Sequence, residues 1–121
     1  MRGATVVVWR RSADGREFLV LHRRGHGLDD EWAWTPPSGA SEAGETPADT
    51  ALRELWEETG FELPLVAVRV AQPWAIFAAE APSGIDPALG VEHDRYEWLP
   101  LEQACKRCLP EVVRAGIRAA A

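Results

Sequence analysis

Two runs of apolar and β-branched residues open the chain, at 4–9 (Ala-Thr-Val-Val-Val-Trp) and 17–22 (Glu-Phe-Leu-Val-Leu-His). The polar stretch between them contains Asp14-Gly15, a turn signal, so the pattern predicts two paired strands joined by a linker longer than the tightest turn. Residues 23–31 are polar and glycine-rich and read as a loop. The segment 32–39 (Trp-Ala-Trp-Thr-Pro-Pro-Ser-Gly) carries adjacent prolines, which excludes helix and central strand. Strand patterns return at 65–70, more weakly at 74–79, and briefly at 96–99, with a turn-rich loop over 82–90. Residues 101–108 and 111–120 read as helices, with Pro110 expected at the first helical position of the second. No repeat, low-complexity segment or linker divides the chain, which predicts a single domain over 1–121.

The best-marked element is a helix over 47–59. Thr46 is placed to cap it, Pro47 suits its first position, Asp49 meets the positive end of the dipole, and Gly60 stops it. At about 100° per residue, Glu54, Glu57 and Glu58 fall within one arc of roughly 100°. Ala48, Ala51, Leu52, Leu55, Trp56 and Thr59 occupy the other side and are expected to face a core. Glu54 and Glu58 are four apart and repel by roughly 0.2–0.5 kcal/mol even when exposed. No lysine interleaves them, and Arg53 is the one local base.

Composition sharpens this picture. The 121 residues are 46% hydrophobic and 26% charged, which suits one globular core and excludes disorder and coiled coil. No apolar run approaches a membrane span of roughly 20 residues, and no secretory leader is visible before the first strand pattern. The two cysteines, Cys105 and Cys108, are too few for a disulfide scaffold and read as incidental thiols, so a cytoplasmic setting is expected. The net charge is −6, and residues 39–61 alone hold six acids against one base. A nucleic-acid binder would show a basic patch instead. Oxygen-only donors at this density suit a hard cation such as Mg²⁺ or Mn²⁺, while a solvated acidic face is the plainer alternative. Glu45, ahead of the helix, is expected to pair with Arg53 and hold it.

Gly39, then Glu45, then the run Arg53-Glu54-Leu55-Trp56-Glu57-Glu58-Thr59-Gly60-Phe61 resembles the Nudix box with every fixed position filled. The likeness extends to the flanking strands, the Trp34-Thr-Pro-Pro lead-in and the late segment 92–99. The resemblance implies an α/β fold, an α/β/α sandwich around a mixed sheet with a loop–helix–loop motif. It further implies metal-dependent cleavage of a nucleoside diphosphate linked to another moiety. By the same resemblance, Glu57, Glu58 and the Gly39 carbonyl would ligate metal, and Glu54 would ligate metal or activate water. Arg53 would orient the glutamates through Glu45 and Glu57. Glu92 is the candidate carboxylate from outside the helix, ahead of Asp94, Glu97 and Glu80.

The lead-in at 34–39 and the run from Glu92-His93 through Tyr96, Trp98 and Cys105 also resemble asymmetrical diadenosine tetraphosphate hydrolases. Ser38 stands where those enzymes usually carry lysine, Ala40 and Ser41 replace histidine and valine, and the region 62–91 is short. A dinucleoside polyphosphate is the favoured substrate; nucleoside triphosphates, including oxidised or dihydroneopterin-type ones, and a non-catalytic nucleotide sensor are the alternatives. A small-molecule nucleotide is the expected partner of a monomer or homodimer. Arg23, Arg24 and Arg95 are candidates for phosphate, with His93 as a further one. Trp32, Trp34, Trp74 and Tyr96 are candidates for base stacking. Trp9, Trp56 and Trp98 are expected to serve the core.

Overall fold

In the computed structural model, described for residues 1–71 and 73–121, the strands are β1 (Gly3–Ser12), β2 (Gly15–Arg23), β3 (Trp34–Thr35) and β4 (Ser38–Ala40), followed by helix α1 (Pro47–Thr59). Then come β5 (Val66–Arg69), β6 (Trp74–Glu80), β7 (His93–Pro100), α2 (Leu101–Arg107) and α3 (Glu111–Ala120). The strands form one mixed sheet in which β1 and β6 run parallel and the other pairs are antiparallel.

Alternation along β1 builds both layers. Ala4, Val6 and Val8 point to one face, where they meet Leu19, Leu21, Ala51, Leu55 and Phe77. Val7 points to the other, where it meets Phe18, Val20, Ile76, Cys105, Cys108 and Ile117. Helix α1 therefore covers one side and α2 and α3 the other, which gives the expected α/β/α sandwich. Leu55 is fully buried, and truncating such a leucine costs about 2–5 kcal/mol.

The sheet splits where the site forms. β1 pairs with β2 from Trp9↔Phe18 to Ser12↔Gly15 and then parts from it. β4 takes the vacated edge of β1 at Gly3–Thr5, and β3 takes that of β2 at Leu21–His22. The two prolines lie between these short strands, in agreement with a segment that cannot be central strand. β7 is longer than the motif at 96–99 implied, and Pro110 is the N-cap of α3 rather than its first residue.

Helix α1 carries the expected capping box: Asp49 N–H donates to Thr46 Oγ1 at 3.1 Å and Thr46 N–H to Asp49 Oδ2 at 3.0 Å. Gly60 closes it in the left-handed region, φ 72°, its N–H on the Trp56 carbonyl. Its inward face is rotated from the expected one. Thr50, Ala51, Leu55, Glu58 and Thr59 are buried, while Ala48, Leu52 and Trp56 are exposed. Docking beside β4 draws the glutamate edge of the helix toward the sheet, and Trp56 swings out to solvent. Trp9 and Trp98 sit at the core's rim, with Arg16 3.7 Å above the first ring and Arg10 4.3 Å above the second.

Candidate active site

Three glutamates on α1 stand at graded depth. The side chain of Glu57 is 53% exposed, that of Glu54 12% and that of Glu58 7%. Arg53 organises two of them. Its Nε donates to Glu45 Oε2 at 2.7 Å and its Nη2 to Glu45 Oε1 at 3.0 Å. Nη2 also donates to the Ala40 carbonyl at 2.9 Å, and Nη1 donates to Glu54 Oε1 at 2.7 Å and Glu57 Oε2 at 3.2 Å. All five guanidinium N–H groups are thereby used. These carboxylates raise the pKa of Arg53, Glu45 foremost, and Arg53 in turn holds the Glu45 carboxyl down at about 2. Glu45 Oε1 also accepts from Glu42 N–H and the Thr50 hydroxyl, which ties the loop before α1 to the helix.

Glu58 behaves differently. Burial pushes its carboxyl far above the usual carboxylate range, and the negative charges of Glu54 and Glu92 push the same way. The Ser38 N–H, 3.3 Å from Glu58 Oε1, works against the shift. Glu54 and Glu57 lean on Arg53 rather than on one another, as like charges sharing one cation do, and among the described residues no ready-made cluster of three ligands is closed. Glu54 and Glu57 share Arg53, which is already committed to Glu45, while Glu58, subject to the charges of Glu54 and Glu92, has no arginine or lysine partner among the described residues. Such an oxygen-only set, with one member starved of counter-charge, fits a hard divalent cation. Gly39 belongs to this geometry: a Cβ there would collide with the Glu54 carboxylate, so only glycine lets the β4 backbone lie against it.

On the far side of Gly39 opens a cleft of about 480 Å³. Trp32, Trp74 and Arg23 line it with Thr35, and Val112 and Gly116 of α3 form an opposite wall. Trp74 is oriented by its Nε1–H, which donates to Thr5 Oγ1 at 2.8 Å. Trp32 is held at φ 65°, unusual for a bulky residue, with its N–H on the Leu109 carbonyl at 2.7 Å.

The other sequence-predicted binding residues lie elsewhere. Trp34 is a core residue, fully buried, with Nε1–H on the Leu28 carbonyl and its ring 5.0 Å from His22. Its neighbour two positions earlier faces the cleft because the chain reverses at Trp32. His93 is buried, its Nε2 3.9 Å from Glu58 Oε1, so it backs the glutamates instead of meeting a ligand. Burial lowers its pKa and favours a neutral ring. Tyr96 packs against the α1-side core, with Asp86 beside its hydroxyl. Arg24 does not line the cleft; it faces backbone carbonyls of the segment before β7. Arg95 lies beside Asp94, 3.6 Å apart. Sequence reasoning missed His22, whose Nδ1 is 2.7 Å from Asp94 Oδ1; it is hidden in an apolar strand pattern. It also missed the α3 wall, which no local signal marks.

A profile of the NUDIX domain matches residues 1–118. Among known proteins the chain is 33% identical over 134 residues to an octanoyltransferase of Myxococcus xanthus, covering 99% of this chain and 36% of that protein, so it spans about a third of that relative. It is 30% identical to the asymmetrical bis(5'-nucleosyl)-tetraphosphatase of Rattus norvegicus, covering 98% of this chain and 91% of the relative. Among solved structures, a C. elegans Ap4A hydrolase binary complex superposes with a TM-score of 0.78 at 25% identity, covering 98% of this chain and 93% of that one. With the split sheet, the capped acid-bearing helix and a match over nearly its whole length, this chain belongs to the Nudix family.

Proposed function

We propose that this Nudix hydrolase uses Mg²⁺ or Mn²⁺ to cleave a phosphoanhydride bond of a nucleoside diphosphate linked to another moiety, with a dinucleoside polyphosphate as the favoured substrate. One observation carries the reading: Gly39 lines the aromatic cleft and also lies against the Glu54 carboxylate. A nucleoside whose base enters between Trp32 and Trp74 would run its phosphates past Gly39 onto the glutamates. The identity to an asymmetrical tetraphosphatase over nearly the full length of both chains supports the substrate class.

Glu57, Glu58, Glu92 and the Gly39 carbonyl would hold the cation, which would neutralise phosphate charge and acidify a bound water. Glu54, whose Oε1 accepts from Arg53 at 2.7 Å, would take the proton of the attacking water. Arg53, locked by Glu45, fixes the direction of Glu54 and Glu57. Arg23 supplies positive charge at the cleft side. The free thiols Cys105 and Cys108 accord with a reducing, cytoplasmic setting.

A second reading, a nucleoside triphosphate substrate, is favoured by Ser38. It occupies the cleft wall where the tetraphosphatase-like pattern carries lysine, and so offers a long polyphosphate one cation fewer. The deciding experiment compares kcat/KM with Mg²⁺ across dinucleoside polyphosphates, nucleoside triphosphates, nucleotide sugars and dinucleotide cofactors. Dinucleoside polyphosphates are expected to lead; a triphosphate in first place establishes the second reading. Glu57→Gln and Glu58→Gln are expected to keep the fold and lower kcat by about a hundredfold or more. Near-normal turnover in both would overturn the metal assignment, and nucleotide binding without turnover by the unaltered protein would make it a sensor.

A further inference from the structure

The segment that presents Glu92 is fastened on three sides. At its near end, Gly90 packs so closely on the end of α1 that a Cβ would collide with the Glu57 carbonyl, and Ala88 N–H donates to the Thr59 carbonyl at 2.8 Å. At its far end the pairing of β2 with β7 slips: His22 lies opposite Arg95 but Arg23 lies opposite His93. The extra residue, Asp94, is pinned by His22 Nδ1 at 2.7 Å. Such a bulge re-aims the side chains beside it.

The third fastening is Arg24. Its backbone N–H donates to the Glu92 carbonyl at 2.8 Å. Its Nε donates to the Val91 carbonyl at 3.0 Å, and its Nη2 reaches the His93 carbonyl at 3.4 Å. One residue thus holds three consecutive carbonyls, with Glu92 in the middle. An arginine forks across two acceptors with its charge fixed in plane; a lysine carries one point donor. We infer that Arg24 is a positioning residue that fixes the direction of the Glu92 carboxylate toward the glutamates of α1. The inference rests on the reading of Glu92 as part of a cation site, and it assigns the guanidinium to the protein backbone and not to substrate phosphate.

The test uses the full chain, diadenosine tetraphosphate or whichever nucleotide turns over fastest, and a Mg²⁺ titration at each substrate concentration. Arg24→Lys keeps the charge and loses the fork. It is expected to weaken Mg²⁺ binding measured by calorimetry without nucleotide by about tenfold, and to raise the Mg²⁺ concentration for half-maximal activity by a similar factor, with KM at saturating Mg²⁺ changed less than about twofold. In a Glu92→Gln background the same substitution should add less than about a twofold effect, because the group it serves is gone. An Arg24→Lys enzyme with unaltered Mg²⁺ dependence overturns the inference. So does a raised KM at unchanged Mg²⁺ dependence, which marks a phosphate contact, and so does full additivity with Glu92→Gln. If Glu92→Gln alone leaves metal activation unchanged, the inference falls together with Glu92's place in the site. Glu57→Gln, measured in parallel, reports separately whether the helix glutamates hold the metal.

Discussion

Arg53 and Glu45 are joined twice, Nε to Oε2 at 2.7 Å and Nη2 to Oε1 at 3.0 Å. A bidentate pair fixes the plane of the guanidinium, and that plane decides where Nη1 meets Glu54 and Glu57. The Glu45 carboxyl is held at about 2, first by Arg53 and next by Glu42 N–H, against an ordinary 4.5. Its contribution to stability is therefore present above about pH 4.5 and lost as the pH falls through about 2. Glu45→Gln is expected to flatten this acid limb in thermal melts taken across that range. It should also lower kcat by about tenfold or more with KM little changed, because it loosens the group that orients the glutamates. A parental acid limb together with parental kcat would remove Glu45 from that role.

Glu58 predicts the opposite pH behaviour. Its carboxyl is raised, chiefly by burial, so the folded, metal-free protein favours its protonated form. Ionising it costs the metal-free fold stability as the pH rises above the ordinary value of 4.5. A divalent cation that binds there must expel the proton, so Mg²⁺ affinity should rise with pH, by up to about tenfold per unit below the folded pKa. Calorimetric titration with Mg²⁺ at pH 7 in buffers of different ionisation heats is expected to report close to one proton released per binding event. Binding enthalpy independent of buffer would show that no proton leaves, and so would overturn a protonated Glu58 that becomes a ligand.

Local signals carried most of the frame and part of the site. The capping box of α1, its glycine stop and the alternation of β1 depend on near neighbours, and the structure follows them. The depth of each glutamate does not. A helical wheel groups Glu54, Glu57 and Glu58 on one arc, but the docking of α1 against β4 decides that Glu58 goes inside and Trp56 outside. Trp32 and Trp34 are equally aromatic and two residues apart; a left-handed residue at 32 sends one to the cleft and the other to the core. The α3 wall of the cleft comes from residues about eighty positions downstream of Trp32, and only tertiary packing brings them there. Arg24 was legible as a cation near the site, but not as one spent on carbonyls 67 and 69 residues away.

Gly39 supplies a steric test of the same arrangement. A methyl group there meets the Glu54 carboxylate, the mobile end of a side chain, and the residue has no left-handed φ that would forbid alanine. Gly39→Ala should therefore fold, with a melting temperature within a few degrees of the parent, while Glu54 is pushed aside. If Glu54 takes the water's proton as proposed, displacing it should lower kcat by about 10²-fold. A fully active Gly39→Ala enzyme would mean that Glu54 works from another position.

The two cleft tryptophans and the buried one separate binding from stability. Base stacking on an aromatic ring contributes about 1–3 kcal/mol, so Trp32→Ala or Trp74→Ala should raise KM by about 5- to 150-fold with kcat largely kept. Trp74→Ala also strands the Thr5 hydroxyl, which lost its donor, and should cost some stability. Trp32 is half exposed and should cost little. Trp34→Leu should do the reverse, lowering the melting temperature through an ill-filled core and an unpaired Leu28 carbonyl while the folded fraction keeps its KM. Tryptophan fluorescence gives an independent check: nucleotide should quench the parent and quench the Trp32→Ala and Trp74→Ala proteins less. If KM shifts with Trp34 and not with Trp32 or Trp74, the nucleoside does not enter this cleft.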